Sequence, residues 1–271
     1  MQYTAGGCVF GMTGYARAHD HLRLNPGGAC LVVAVEVNSG MFMGGVQKVC
    51  REAAKRQYDG FAGHFRGQLL TTALFGDLVS ASLLVGPDHR LRSSPSQNLI
   101  PALIDHRNLT VPDTTDHVGM EMFDEGYMGY LTTKLIKSAP QAIADCAQSL
   151  LKSHGLQRSD IKHWVIHPGG PAILRAVAKL MDLSDSDVAI AQEVYSEIGN
   201  VAACTAIEIM KRTIERKADE AEEGDYILGL AAGYGVIAQG CLFRWEKKGT
   251  GIMTPNSTLE EVVTLSIQGL E

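Results

Sequence analysis

The sequence predicts an α/β fold built in layers, and three observations predict it. Strand-like and helix-like apolar patterns alternate along the chain, the signature of helices packed on a sheet. The segment CLVVAVEV (30–37) is too apolar along its length to expose either face, which points to a sheet covered on both sides. The segment HWVIHPGGPAIL (163–174) passes from a short apolar run to helical spacing across a pair of glycines.

Taken in order, GGC (6–8) leads into a helix over 9–24 that NPGG (25–28) closes. The strand 30–37 follows, then a helical pattern over 44–58 and a strand in LVSASLLVG (78–86). Residues 87–98 turn polar and bring Pro, Ser and Asp, so the chain divides there into 1–86 and 87–271. Residues 99–137 read as strands and loops. A helix over 139–155 places Ile143, Ala147, Leu150 and Leu151 on one face and stops at Gly155. The strand 163–166 precedes a helix from Pro171, where Ile173, Leu174, Val177, Leu180 and Met181 recur at helical spacing. Another helix covers about 187–196. IGNVAACTAIEIMKRTI then carries a loop into a helix that aligns Ala203, Ile207, Met210 and Ile214. Strands at 226–232 and 237–245 close the core.

Composition narrows the function class. The 271 residues are 45% hydrophobic and 20% charged, an ordinary globular balance. The net charge of −6 (30 acidic, 24 basic) and the absence of a basic stripe with aromatics argue against nucleic-acid binding. The basic run KVCREAAKR (48–56) reads as a solvated helix face. Cys8, Cys30, Cys50, Cys146, Cys204 and Cys241 are widely spaced with no C-x-x-C pair, the usage of free thiols in a reducing, cytoplasmic setting. HDH (19–21) is too sparse for a metal assignment. The N-terminus lacks a signal-peptide pattern. The apolar stretch 227–243 is broken by Gly233, Tyr234, Gly235 and Gln239, so two strands around a turn explain it better than a membrane span.

Three short motifs share a design. GGCVFG puts Cys8 at a glycine-flanked turn into a helix. IHPGG puts His167 at the carboxyl end of a strand, beside the free N–H groups of a helix start, where α/β sheets bind ligands. EIGNVAAC puts Asn200 at another helix start. A thiol at a helix N-terminus gains from the macrodipole, and a nearby imidazolium lowers its pKa further. Asn is a neutral donor that completes an oxyanion site with a histidine. Each also has a plain structural reading: Cys8 as a small core residue, His167 as a core histidine bonded to a carbonyl, Asn200 as an N-cap.

The order of these motifs resembles the type III polyketide synthases, the chalcone and stilbene synthase family. The likeness runs from about Gly7 to Trp245. It rests on GC with its following glycine, LVVAVEV, ALFGDLVSASLLVG (73–86), HPGGPAIL, SEIGNVAAC and GLAAGYGVIAQG. The resemblance implies a thiolase-like αβαβα fold whose first half-domain, 1–86, carries the nucleophile and is incomplete. The second, 87–271, would carry the histidine and the asparagine. It implies that Cys8 takes the acyl group as a thioester and forms an ion pair with His167. His167 and Asn200 would hold the malonyl thioester and stabilise its enolate. Phe75 would be a gatekeeper between the coenzyme A tunnel and the cavity. Gly169, Gly170 and Ala172 would line the pantetheine path. The partners implied are acyl-CoA and malonyl-CoA, in a homodimer, with no metal or organic cofactor, no nucleic acid and no membrane.

The sequence also departs from the family. Seven residues precede Cys8, where the family carries a much longer segment with several strands and coenzyme A-gripping basic residues. The expected consequence is that strand 30–37 shows an unpaired edge and an uncovered apolar face, and that the chain alone is poorly soluble or weakly active. Val236 stands where the family usually has Pro. Thr133 is the nearest position to a second cavity phenylalanine, and Met41 stands where plant enzymes often have Thr. Both changes suggest a cavity unlike that of chalcone synthase, one that accepts aliphatic starters at least as well as aromatic ones. A ketoacyl synthase III-like enzyme is a rival reading that HPGG disfavours. A non-catalytic fragment, or a subunit completed by another chain, is a rival of a different class.

Overall fold

The computed structural model describes residues 7–54, 70–92, 99–124, 126–247 and 262–266. A single 3-10 turn, Gly7–Val9, opens into helix α1 (Phe10–Leu24), followed by β1 (Ala29–Val37), α2 (Asn38–Ala54) and β2 (Asp77–Val85). After the polar junction come β3 (Leu99–Thr110) and the hairpin β4 (Val118–Phe123) and β5 (Gly126–Leu131). The rest is α3 (Leu135–Ser153), β6 (Ile161–Ile166), α4 (Pro171–Leu180), α5 (Asp185–Ile198), α6 (Ala203–Lys217), β7 (Tyr226–Gly233), β8 (Ile237–Lys247) and β9 (Val262–Ser266). Seven strands are hydrogen-bonded in the order β1-β2-β9-β3-β8-β7-β6. Only β6 and β7 run parallel; every other pairing in this sheet is antiparallel.

The core forms because α1 is apolar on two sides. Gly14 meets Val32 of β1, where an added Cβ would lie 2.7 Å from its side chain. On its other side Met12 lies against Gly229 of β7, and the Met12 carbonyl accepts from the Cys241 thiol of β8 at 3.4 Å. Helix α6 is held in the same layer: the Cys204 thiol lies within hydrogen-bond reach of the carbonyls of Ala34 on β1 and Leu78 on β2. One residue before Cys241, Gly240 faces the opposite way and meets Cys146 of α3, as the two-residue alternation of a strand requires. The layers therefore run α3, then β3/β8/β7/β6, then α1 and α6, then β1/β2.

Beyond β1 and β2 no further layer follows among the described residues. Leu31, Val33, Val35 and Val37 of β1 are 59%, 53%, 60% and 56% exposed, and Val79, paired across from Val35, is 62% exposed. This corrects the expectation that 30–37 is covered on both sides. Its alternate residues Cys30, Val32 and Ala34 pack on the core while the others face outward, so the uniform apolarity marks a face prepared for burial. β1 is also an end strand of the sheet, and no strand among the described residues pairs with its other edge.

Other expectations shift less. α2 begins at Asn38 rather than 44, and the expected helix residues 55–58 lie outside the described residues. α3 starts at Leu135, with Pro140 inside the helix, so the chain turns helical before the proline that the sequence suggested as its start. Residues 99–137 resolve into one long strand and a hairpin. The break in 227–243 is a turn at Tyr234–Val236, with β7 and β8 antiparallel around it.

The open face makes a direct prediction. Substituting Val33→Lys and Val35→Lys together should leave stability within about 0.5 kcal/mol of the parent, because both side chains point outward. The double variant should lower self-association measured by light scattering. Equal aggregation of parent and variant would show that this face is not the adhesive one.

Candidate active site

Cys8, His167 and Asn200 converge on one cavity of about 270 Å³. They reach it from 192 residues apart in sequence because three element ends meet there. The turn Gly7–Val9 delivers Cys8 at the start of α1. The end of β6 delivers His167, whose backbone N–H continues the ladder to the Leu230 carbonyl at 2.8 Å. The loop between α5 and α6 delivers Asn200. Gly199 at φ 72° turns that loop, and its Cβ position would come 3.0 Å from the Leu74 carbonyl, so a side chain is disfavoured twice.

Asn200 is the most constrained of the three and is buried. Its backbone N–H donates to the Leu74 carbonyl at 2.8 Å, and its carbonyl accepts from Gly76 N–H at 3.0 Å, a short parallel bridge around Phe75. Its Oδ1 accepts from Ala202 N–H at 2.8 Å, with the Thr205 hydroxyl at 3.5 Å. Its Nδ2 donates to the Gly169 carbonyl at 3.2 Å and lies 3.6 Å from Cys8 Sγ. A donor at Oδ1 and a carbonyl acceptor at Nδ2 fix which way the amide faces. One Nδ2 proton is anchored on Gly169, and the other is aimed at the sulfur. Ala202, at φ 43° with a methyl group, carries backbone strain beside this group, the kind that gathers at functional sites.

His167 is buried, and neither of its ring nitrogens has a hydrogen-bond partner among the described residues. An imidazole bonded to a backbone carbonyl, its plain structural reading, is therefore not what the fold presents. Burial pushes His167 down to about 4. Burial also pushes the Cys8 thiol up to about 12, against the hydrogen bond from Asn200, and the Glu36 carboxylate raises it further. The expected lowering of the thiol by the helix start is thus outweighed. Burial thus opposes the charged form of both groups, and an ion pair forms only where the attraction between the two charges exceeds both burial costs.

The remaining predicted residues divide. Phe75, Gly169, Gly170, Ala172 and Thr133 all line the cavity. Gly170 has only Leu74 within 4.0 Å of its Cβ position, so a chain-like ligand could pass close to the backbone there. Met41 does not line it, which corrects that expectation. On α2 its neighbour Phe42 is buried instead, and the Phe42 ring packs on Phe75 with centroids 5.7 Å apart. Sequence reasoning missed Tyr234, which lines the cavity and whose ring lies over Gly7, and Thr205, which orients Asn200 while accepting from Val201 N–H at 2.9 Å. It also missed Glu36, the one charged residue in CLVVAVEV, whose Oε1 accepts from Ala203 N–H at 3.1 Å. That isolated charge in an apolar strand was the available signal.

The family of chalcone and stilbene synthases, C-terminal domain, matches residues 104–245. The chain belongs to the chalcone and stilbene synthase family. A putative chalcone synthase of Bacillus subtilis is 27% identical over 242 residues, covering 89% of this chain and 60% of that protein. Type III polyketide synthase C of Arabidopsis thaliana is 30% identical over 249 residues, covering 88% and 57%. The crystal structure of PKS-I from the brown alga Ectocarpus siliculosus superposes with a TM-score of 0.71 at 25% identity, covering 88% of this chain and 58% of that one. The fold is the thiolase-like fold of this family. The chain spans about 60% of the length of these relatives. No helix among the described residues is long and apolar enough to cross a membrane.

The electrostatics of the site predict its reactivity. Because the thiol is raised to about 12, Cys8 should react slowly with iodoacetamide at pH 7. The rate should climb by about tenfold per pH unit through the alkaline range as thiolate accumulates. This reverses the ready alkylation near neutrality that a helix-start thiolate would show. Rates followed by peptide mass mapping check it, and a fast plateau at pH 7 would establish the ion pair in the empty site.

Proposed function

We propose that the chain is a type III polyketide synthase-like acyltransferase that condenses malonyl-CoA onto an acyl-CoA starter. The observation that carries this reading is the convergence of Cys8, His167 and Asn200 on one cavity in a member of this family. Cys8 attacks the starter thioester, and His167, with no other partner for its ring, takes the proton and passes it to departing coenzyme A thiolate. The malonyl thioester carbonyl then lies between His167 and the Asn200 Nδ2 proton that is aimed at the sulfur. Loss of CO2 leaves an enolate that these two donors stabilise. Its carbon attacks the acyl-Cys8 carbonyl, the C–S bond breaks to release Cys8 as thiolate, and the extended chain remains on coenzyme A. Decarboxylation drives the bond formation, so the proposal needs coenzyme A thioesters and no metal or organic cofactor.

The half-domain division at 86/87 belongs to this proposal, with Cys8 from the first part and His167 and Asn200 from the second. So do the homodimer and the cytoplasmic setting, the latter supported by six free thiols. A second reading, a subunit completed by another polypeptide, is favoured by the open apolar face and unpaired edge of β1.

Two variants separate the roles. Cys8→Ala should retain release of labelled CO2 from malonyl-CoA while product formation falls to background. His167→Ala should lose both. Polyketide formation by Cys8→Ala would remove Cys8 from the mechanism.

The cavity wall supports an aliphatic starter. Leu70, Leu74, Val118, Leu131, Leu135, Ile136, Ile143 and Ile173 line it, against two phenyl-type rings, Phe75 and Tyr234. In competition, a medium-chain acyl-CoA should be consumed ahead of an aromatic acyl-CoA by several-fold, read by product mass spectrometry. A clear aromatic preference would overturn this assignment of the starter.

A further inference from the structure

Outside the catalytic cavity, one cluster brings together groups that the sequence keeps far apart. His19 and Asp20 lie near the C-terminal end of α1, and His106 lies on β3, 86 residues after Asp20. One ligand atom from each lies within 4.8 Å of the other two. His19 is 1% exposed, whereas the side chains of His106 and Asp20 are 17% and 41% exposed, so the group forms a partly buried notch with one open side. His106 Nε2 lies 2.8 Å from Asp20 Oδ1, and the His19 and His106 rings stand at 88° with centroids 5.6 Å apart. The other Asp20 oxygen lies 3.0 Å from Arg17, which leaves Oδ1 as its single inward-facing donor. Behind His106, Asp105 accepts its backbone N–H at 2.8 Å and holds His154 Nε2 at 2.9 Å, adding negative charge to the rear of the cluster.

We propose that His19, Asp20 and His106 form a divalent-metal site that staples the helix bearing Cys8 to strand β3. Two imidazole nitrogens and one carboxylate oxygen are a donor set for zinc and neighbouring first-row ions rather than for magnesium or calcium, which take mostly oxygen. The open side of the notch would take water as the fourth ligand. With metal–ligand bonds of about 2.0–2.1 Å, ligand atoms lie roughly 3.3 Å apart, so the site closes by side-chain adjustment alone. Binding displaces the proton shared by His106 and Asp20. The staple joins the element that carries the nucleophile to the part of the chain that carries His167 and Asn200, and it is independent of the reaction proposed above.

The test uses the full chain. Stripped protein is titrated with Zn2+ by calorimetry, and Co2+ is added separately as a spectroscopic probe. The site predicts one equivalent of Zn2+, a higher melting temperature that chelator reverses, and a Co2+ spectrum with d–d bands but no thiolate charge-transfer band. His106→Gln and Asp20→Asn change partly exposed residues, so both should fold as judged by circular dichroism, and both should weaken Zn2+ binding at least tenfold. His21→Gln, at the exposed neighbour, should bind as the parent does. No binding by the parent, binding by either variant as tight as the parent's, or a thiolate charge-transfer band would each overturn the proposal.

Discussion

Asn200 is bonded on every side that it offers, and the site depends on that. Its main chain is pinned to both sides of Phe75 through Leu74 and Gly76, and its side chain to Gly169, Ala202 and Cys8. Four segments distant in sequence therefore meet around one amide. An amide with free rotation would lose orientation entropy each time it held a substrate carbonyl. Here that entropy is already lost in folding, and the donor stands ready beside the sulfur. Thr205 performs the same service one shell out by fixing the Val201 backbone and backing Oδ1.

Burial is the second constraint, and it acts against charge. The same walls that bury Cys8 and His167 push the thiol up and the imidazole down, each toward its neutral form. A charge that develops inside these walls would be met by fixed donors rather than by solvent. This makes the site quiet when empty and sensitive to whatever carbonyl or thioester enters it. Glu36, whose own carboxyl is raised by burial, stands near the nucleophile and adds to that resistance to ionisation.

Packing between layers explains why glycines recur around the nucleophile. Gly11 comes so close to the first turn of α6 that an added Cβ would lie 2.2 Å from the Ala203 carbonyl, and Gly14 is pressed on Val32 in the same way. Helix α1 can therefore sit between β1 on one side and β7 on the other with both strands at close approach. Among the described residues, the outward face of β1 and β2 stays open, and its exposed valines and leucine form an apolar patch.

The sequence by itself determined the elements and the chemistry of the three motifs. Helix spacing after Pro171, alternation of strands with helices, and the glycine-flanked Cys8, His167 and Asn200 are local patterns set by backbone conformation and side-chain type. They fix where each residue lies along its own element. Which residues face the cavity is a different matter, because it depends on the rotation of one element against another. That is why Met41 lies outside the cavity while its neighbour Phe42 packs on Phe75, and why Tyr234, Thr205 and Glu36 come to the site without a motif to announce them. The protonation of Cys8 was likewise beyond local reasoning: a helix start favours the thiolate, but the surrounding walls decide against it. The open face of β1 follows the same rule, since apolarity written in a strand says that the face wants burial, and only the assembled layers show whether anything covers it.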